Sequence, residues 1–171
     1  MKTFNYHSAK DVKEASKMAS TSSAFLAGGM TTIPSMKLGL ASYKDIIDIK
    51  RIKRVLELYG NRFKKKCFHN NEIEWSDKKF NFVESYAKRY AAKEACAKAL
   101  GTGLARGVFW KDIEVFNDKF GKPYIRLHNN AKDYLKLLSK NNLKIELSLS
   151  DEKDFAIANV VIFKWVKKIN L

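Results

Sequence analysis

The chain has 171 residues, of which 46% are hydrophobic and 30% charged, a composition typical of a globular protein long enough to bury a sizeable core. Its 33 lysines and arginines outnumber 18 acidic residues, so the formal net charge is +15 and an acidic partner is expected. No apolar run approaches the roughly 20 residues of a membrane span, which argues against a membrane protein and favours a cytoplasmic location.

Residues 1–60 predict an alternation of helices and short strands. A helix is expected over 11–19, a short strand over 24–27, and a second helix over 34–40 that Pro34 can open at its first position. Residues 45–48 are expected to be extended, and a helix follows over about 49–59.

The helix over 49–59 carries a basic outer face. Five apolar residues follow helical spacing and are expected to face inward, namely Ile49, Ile52, Val55, Leu56 and Tyr59. The four cations between them are expected to face outward, namely Lys50, Arg51, Lys53 and Arg54. This face is either simply solvated or binds a partner. Nucleic acid is disfavoured as that partner, because the cations are dispersed and no RNP or KH motif is present.

The next segments predict one short and one long helix. Residues 70–79 are helical or irregular, and a long helix is expected over about 82–100. In it Tyr90, Glu94 and Lys98 share one face, and Arg89, Lys93 and Ala97 form the neighbouring stripe, so a carboxylate and several cations point the same way. Alternatively the helix is merely solvated, with a Glu94–Lys98 pair contributing about 0.3–0.5 kcal/mol.

The residues after this helix predict a turn and then mostly strands. Gly101 stands where a left-handed C-terminal residue is expected, and Gly103 allows the backbone to approach a ligand. Strands are expected over 112–117 and 123–127, joined by a turn at 118–122, and a helix over 130–139. Two final strands meet at a turn over 151–154, and the basic end of the chain is expected to be a surface tail. These elements predict an α+β fold.

The histidines and cysteines show no ligand or nucleophile pattern. His7, His69 and His128 lie far apart without metal-ligand spacing, and are interpreted as surface or packing residues. Cys67 and Cys96 have no neighbouring cysteine, which predicts reduced thiols, with Cys96 a small core residue of its helix.

From about Asp45 onward the sequence resembles a known family. Four blocks carry the resemblance, in order: DIIDIKRIKRVLELYGNRF from Asp45, KEACAKALGTG from Lys93, WKDIEVFNDKFGKPYIRL from Trp110, and IELSLSDEKDFAIANVVI from Ile145. They are similar to the holo-acyl-carrier-protein synthases, the small 4'-phosphopantetheinyl transferases of fatty-acid synthesis. The resemblance implies their fold, in which a long central helix packs on a mostly antiparallel sheet.

The resemblance also implies an active site. Asp45 and Glu94 would hold Mg²⁺ together with a pyrophosphate oxygen of the co-substrate coenzyme A, and Lys98 would neutralise charge on the transferring phosphoryl group. The nucleophile is a serine of the carrier protein, whose proton passes to Glu94 or to a metal-bound water. Further coenzyme A contacts are implied for Arg89, Lys93, Lys98, Gly101, Thr102, Gly103, Gly121, Lys122 and Pro123.

Partners follow from the same resemblance. Arg51 and Arg54 are expected to dock an acidic acyl-carrier protein, whose charge suits the basic chain. The small synthases form homotrimers with the active site between subunits, so a homotrimer is expected here.

The first 44 residues resemble a different family. YHSAKDVKEASKMAS, AFLAGGMTTIPSMKLGLAS and DIIDI are similar to the start of the FAD-binding subunit of molybdenum hydroxylases, with Ala27, Gly28 and Gly29 at its glycine loop. Because this piece is too short for a flavin domain, the chain is interpreted as a mosaic, with an appendage over 1–44 and a transferase domain over 45–171.

The point at which the two resemblances meet, near Asp45, coincides with the expected metal site. The synthases carry a GxGxD strand, whereas this chain has Ala41 and Tyr43 at the glycine positions and Lys44 before Asp45. Tyr43 places a bulky ring where the family has none. Three hypotheses therefore stand: a magnesium-dependent transferase, a non-catalytic mosaic with the synthase fold, and a flavin-binding fragment.

Overall fold

The computed structural model describes residues 41–138 and 143–164. All of them belong to the unit Leu40–Leu171. The elements predicted over 11–19, 24–27 and 34–40 and the end of the basic tail lie outside the described residues, as does Gly28–Gly29.

The described residues form helices and antiparallel strands in separate runs, as is typical of an α+β fold. In chain order they are β1 Ala41–Asp48, α1 Ile49–Cys67, α2 Asn70–Asp77, α3 Phe82–Ala99, a 3-10 turn Trp110–Asp112, β2 Ile113–Asn117, β3 Pro123–Leu127, α4 Asn129–Leu138, β4 Leu143–Glu152 and β5 Phe155–Lys164. Strands β1, β5 and β4 form one antiparallel sheet in that order, and β2 pairs with β3 as a hairpin. The predicted α+β class and the hairpin are confirmed.

Strand β1 passes directly into α1, and Asp48 fixes the junction. Its Oδ1 accepts hydrogen bonds from the backbone N–H of Lys50 at 2.7 Å and of Arg51 at 3.4 Å, which caps the helix. The N–H of Ile49 donates to the carbonyl of Asp154 at 2.9 Å and ties the helix start to the β4–β5 turn. The end of β1 is therefore held from two sides.

Helix α1 is longer than predicted and contains a kink. It continues beyond residue 59 to Cys67, with Gly60 at φ 42° and ψ −123°, a conformation that suits glycine. Ile49, Ile52 and Leu56 are buried as predicted. Tyr59 is 57% exposed, so its predicted inward orientation is wrong; it lies at the margin of the apolar stripe, just before the kink.

Helix α3 packs closely on the three-stranded sheet because both surfaces are made of small residues. Ala91 and Ala95 on the helix are fully buried, and so are Ala156 and Ala158 on β5. Without large side chains at the contact, the helix axis can approach the sheet closely. The helix therefore brings its polar residues near the strand beside β5, which is β1.

The helix ends at the glycine turn, as predicted. Gly101 has φ 76°, and its N–H donates to the carbonyl of Lys98 at 2.9 Å. The predicted turn over 151–154 is shorter, because Asp151 and Glu152 belong to β4. Among the described residues, none of the helices is long and apolar enough to cross a membrane.

Candidate active site

The candidate site begins at Asp45 in the middle of β1. Asp45 pairs with Ala158 of β5 and is buried, although its side chain is ionisable. Its Oδ1 accepts the backbone N–H of Ile46 at 3.0 Å, and its Oδ2 accepts from Nζ of Lys98 at 2.8 Å. A buried carboxylate is thus held by one amide and one cation.

Glu94 on α3 faces Asp45 across the helix–sheet contact. The two carboxyl groups lie within hydrogen-bonding reach of each other, and Glu94 is half-buried. Burial raises the pKa of Glu94, and the negative charge of Asp45 raises it further, while Lys98 and Arg51 oppose the rise. Two neighbouring carboxylates repel each other unless a proton or a cation lies between them.

Lys98 lies one helical turn beyond Glu94 and completes this group. Its side chain is 49% exposed, so its ammonium group contacts both the Asp45 carboxylate and solvent. The described residues therefore bring together Asp45, Glu94 and Lys98, as the resemblance implied. The two carboxylates supply oxygen ligands that suit Mg²⁺, which prefers hard oxygens and keeps several waters.

The departure from the family pattern lies beside this group. Side chains alternate along a strand, so Tyr43 is on the same face of β1 as Asp45. The Tyr43 side chain is 43% exposed. Tyr43 is therefore the neighbour of Asp45 on this face of the strand, while Lys44 is on the opposite face.

Arg89 lines a second polar region, away from the carboxylates. Its Nη1 donates to Oγ of Ser85 at 2.9 Å and its Nη2 to Oδ1 of Asn117 at 2.6 Å. Its Nε has no hydrogen-bond partner among the described residues, although the side chain is buried. Arg89 lines a surface cleft of about 590 Å³ together with Gly121 and Pro123.

Lys93 does not lie where the helical spacing suggested. It is 0% exposed, and its Nζ donates to Oε2 of Glu72 at 2.8 Å, to the carbonyl of Trp110 at 3.1 Å and to the carbonyl of Ile113. Burial lowers the pKa of Lys93, and Glu72 opposes this. The predicted contact of Lys93 with coenzyme A is incompatible with this placement, because all three ammonium hydrogens are directed into the core.

The amides of the glycine turn are also occupied. The N–H groups of Thr102 and Gly103 both donate to the carbonyl of Ala97, at 3.2 and 3.0 Å, and Oγ1 of Thr102 lies 2.8 Å from the carbonyl of Gly103. These bonds close the end of α3. Contacts of Gly101, Thr102 and Gly103 with coenzyme A remain a prediction, but these amides are not free in this structure.

The other predicted residues are on the surface. Lys122 is half-exposed, pairs with Glu146 at 3.3 Å and has a raised pKa through that hydrogen bond. Pro123 begins β3. Arg51 and Arg54 are exposed on the first turns of α1, and Arg51 is close enough to Glu94 to affect its pKa.

Three structural partners were not found from the sequence. The carboxylate of Glu72 and the side chains of Ser85 and Asn117 hold the two buried cations of α3. No local pattern signals such distant pairs. Asp48 could have been found, because an aspartate directly before a periodic apolar helix is a typical N-cap.

Two of the histidines, interpreted from the sequence as surface or packing residues, pack against each other although they are far apart in the sequence. His69 and His128 have ring centroids 4.8 Å apart, and both lie near Glu114. The two cysteines are free and buried, as predicted. Burial raises the pKa of Cys67 to about 11 and of Cys96 to about 12, so neither is a thiolate nucleophile at neutral pH.

Comparison with protein families gives two matches. Residues 45–160 match the 4'-phosphopantetheinyl transferase superfamily. Residues 2–62 match the FAD binding domain in molybdopterin dehydrogenase, so the two matches overlap over 45–62. This agrees with a mosaic in which both resemblances meet near Asp45.

Individual relatives agree with the first match. A holo-[acyl-carrier-protein] synthase of Agrobacterium fabrum is 46% identical over 129 residues, covering 74% of this chain and 95% of the relative. One of Sinorhizobium fredii is 47% identical over 74% of this chain and 91% of the relative.

Solved structures share the fold. The crystal structure of the Neisseria meningitidis synthase has a TM-score of 0.65 and 33% identity, covering 72% of this chain and 98% of that one. The Helicobacter pylori synthase in complex with coenzyme A has a TM-score of 0.62 and 29% identity, covering 71% and 99%.

Proposed function

Because the chain belongs to the 4'-phosphopantetheinyl transferase superfamily, we propose that it transfers the 4'-phosphopantetheine group of coenzyme A to a serine of an apo-acyl-carrier protein, a step that serves fatty-acid biosynthesis. The observation that carries this proposal is the convergence of Asp45, Glu94 and Lys98 from β1 and α3. No nucleophile of the chain itself is required, since the partner supplies the hydroxyl.

The chemistry can be assigned to these side chains. Mg²⁺ bound by Asp45 and Glu94 would neutralise charge on the coenzyme A pyrophosphate. The serine oxygen forms a bond to the phosphorus, and the bond from phosphorus to the leaving 3',5'-adenosine bisphosphate breaks. Lys98 stabilises the negative charge on the phosphoryl oxygens, and Glu94 accepts the serine proton, for which a raised pKa suits it.

Coenzyme A binding is proposed at the cleft lined by Arg89, Gly121 and Pro123. The positive charge of Arg89 beside this cleft supports an anion there, because arginine forms strong charge-assisted hydrogen bonds with phosphate. Asp45, Glu94 and Lys98 are not among the residues that line this cleft. A homotrimer with the site between subunits would let one ligand reach both groups.

The oligomeric state and the cellular location of the protein are also part of the proposal. Sedimentation equilibrium is expected to give a homotrimer, and a monomer that nevertheless transfers the group would contradict a shared site. The cytoplasmic location and the boundary between 1–44 and 45–171 stay predictions. Likewise the docking roles of Arg51 and Arg54 rest on the resemblance and on their exposure.

A direct assay tests the proposal through Glu94. Wild-type protein with Mg²⁺, coenzyme A and apo-acyl-carrier protein is expected to yield the holo carrier and 3',5'-adenosine bisphosphate, detected by mass spectrometry. Glu94→Gln removes a metal ligand and the proton acceptor, so the rate should fall by about 10²–10⁴-fold. Omitting Mg²⁺ or adding a chelator should have a comparable effect.

Glu84→Gln is the matched control, because Glu84 belongs to the same helix but lies near its first turn. It should retain wild-type activity. Holo product formed at the same rate by Glu94→Gln, or without any divalent cation, would contradict the proposed site.

A further inference from the structure

The hairpin and the start of α2 form a second group of ligand-type side chains, outside the proposed active site. One ligand atom each from His69, Glu114 and His128 lies within 4.8 Å of the others. His69 precedes α2, Glu114 is on β2, and His128 follows β3. Three segments far apart in the sequence therefore meet at one point.

Two of the three ligand atoms share a hydrogen bond, which a metal ion would replace. Nε2 of His128 lies 2.8 Å from Oε2 of Glu114. Metal–ligand distances of about 2.0–2.2 Å place the ligand atoms of a tetrahedral site about 3.3–3.6 Å apart. The widest separation, 4.8 Å, must therefore shorten by about 1.2–1.5 Å and the 2.8 Å pair must open, movements that rotation of the two half-exposed histidine rings can supply.

The surroundings also suit metal-binding imidazoles. Nε2 of His69 lies 2.5 Å from the carbonyl of Lys111, which can only accept, so this nitrogen carries the proton and the other ring nitrogen keeps a lone pair. A histidine that ligates a metal usually donates its second ring N–H to a carbonyl in this way. Glu114 is buried, and its carboxylate is the anion that a cation would neutralise.

From this geometry we propose that His69, Glu114 and His128 bind one Zn²⁺ ion, with a solvent molecule as fourth ligand. Imidazole and carboxylate together suit Zn²⁺ and similar transition ions, whereas Mg²⁺ prefers an all-oxygen set. Binding links the start of α2 to the hairpin and stabilises the fold. The site is independent of the proposed transfer reaction and needs no coenzyme A.

Arg126, which lies beside the site, is expected to weaken Zn²⁺ binding. Nη1 of Arg126 lies 3.3 Å from the same Oε2 of Glu114, and its side chain is 55% exposed. Arg126 therefore competes with a metal ion for this carboxylate. Arg126→Gln removes the competing cation and leaves all three ligand residues in place. It should raise the Zn²⁺ affinity by about 1.5- to 5-fold, the effect of a partly exposed ion pair.

The test is equilibrium dialysis of chelator-treated full-length protein against Zn²⁺ in the presence of excess Mg²⁺. One Zn²⁺ per chain is expected, together with a higher Tm and shifts of two histidine ring signals in NMR spectra. His69→Gln and His128→Gln should each weaken binding by at least about 100-fold, since even the loss of a residue that only orients a ligand costs about 10- to 100-fold. His7→Gln and Glu94→Gln are matched controls that should bind as wild type.

Several results would overturn the proposal. They are no Zn²⁺ bound by the wild type, binding that survives both histidine substitutions, or binding lost in His7→Gln. Circular dichroism of each variant shows whether it folds. Should both histidine variants unfold, the wild-type NMR titration and the affinity of Arg126→Gln still decide: unshifted ring signals or weaker binding by Arg126→Gln would refute the site.

Discussion

Two lysines of α3, five residues apart, have opposite environments and therefore different roles. Lys98 is half-exposed beside Asp45, whereas Lys93 is fully enclosed by Glu72 and two carbonyl groups. A buried ion pair is strongly context-dependent: it adds little over an apolar pair, but losing one partner leaves an uncompensated charge. We therefore assign Lys93 to the stability of the fold and Lys98 to chemistry.

Substituting Lys93 tests this assignment. Lys93→Met leaves the Glu72 carboxylate buried without its cation, so the free energy of unfolding should fall by about 3–5 kcal/mol in urea denaturation. Lys136→Met, which breaks the exposed pair with Asp133, should change it by less than about 1 kcal/mol. The double variant Lys93→Met/Glu72→Gln should recover part of the loss. An equally small effect of both single lysine substitutions would contradict a structural role for Lys93.

Tyr43 bears on the choice between an active transferase and a non-catalytic mosaic. It lies on the Asp45 face of β1, where the small synthases have glycine. If its ring hinders the pyrophosphate, Tyr43→Gly should raise kcat/KM for coenzyme A and leave the fold intact. Tyr59→Gly, at another exposed tyrosine, is the control and should not raise it. Unchanged or lower activity of Tyr43→Gly would show that the ring does not obstruct the site.

At the scale of elements, the periodicity of the sequence is informative because it reflects local geometry. Local sequence patterns predict β1, the hairpin and α3 within a few residues, and glycine at 101 marks the end of the helix. The predicted α1 is too short, since the kink at Gly60 lets the chain continue as a helix. Periodicity identifies which face of an element is buried, but it does not identify the residues that pack against that face.

The candidate site is predictable only where a family pattern supplies the tertiary contact. Asp45 and Glu94 are 49 positions apart in the sequence, and it is the motif blocks, not their spacing, that pair them. Neither the burial of Lys93 nor the proximity of the two histidines is predictable from the sequence, because Glu72 and Glu114, their partners, come from other elements. Spacing along one helix cannot reveal a carboxylate contributed by another.

The close contact of α3 with β5 sets the distance between the two carboxylates. Ala158 is fully buried under α3 and pairs with Asp45. Ala158→Leu should push the helix away, lowering the free energy of unfolding by about 1–3 kcal/mol and reducing transfer activity at saturating Mg²⁺. Val161→Leu, which enlarges the opposite face of β5, should affect activity little. Full activity of a folded Ala158→Leu protein would mean that the site tolerates a wider helix–sheet separation.

For the whole molecule, the excess of positive charge affects how fast an acidic partner is encountered. The formal net charge of +15 creates a long-range field that attracts an acidic protein, and the exposed arginines of α1 place part of it close to Glu94. Such a field acts mainly on the rate of encounter and weakens as salt screens it. Arg51, close to Glu94, is therefore the cation that we propose to dock the carrier protein near the site.

Arg51→Glu should consequently raise KM for the acyl-carrier protein more than KM for coenzyme A, because a docking cation becomes a repelling anion. The kcat/KM of the wild type should fall as NaCl increases, and this dependence should be weaker in the variant. Lys65→Glu, on the same helix but beyond the Gly60 kink, makes the same charge change away from Glu94 and should have a smaller effect. If the two variants are equally impaired, net charge alone guides the carrier; if neither is impaired, the basic face of α1 is only solvated.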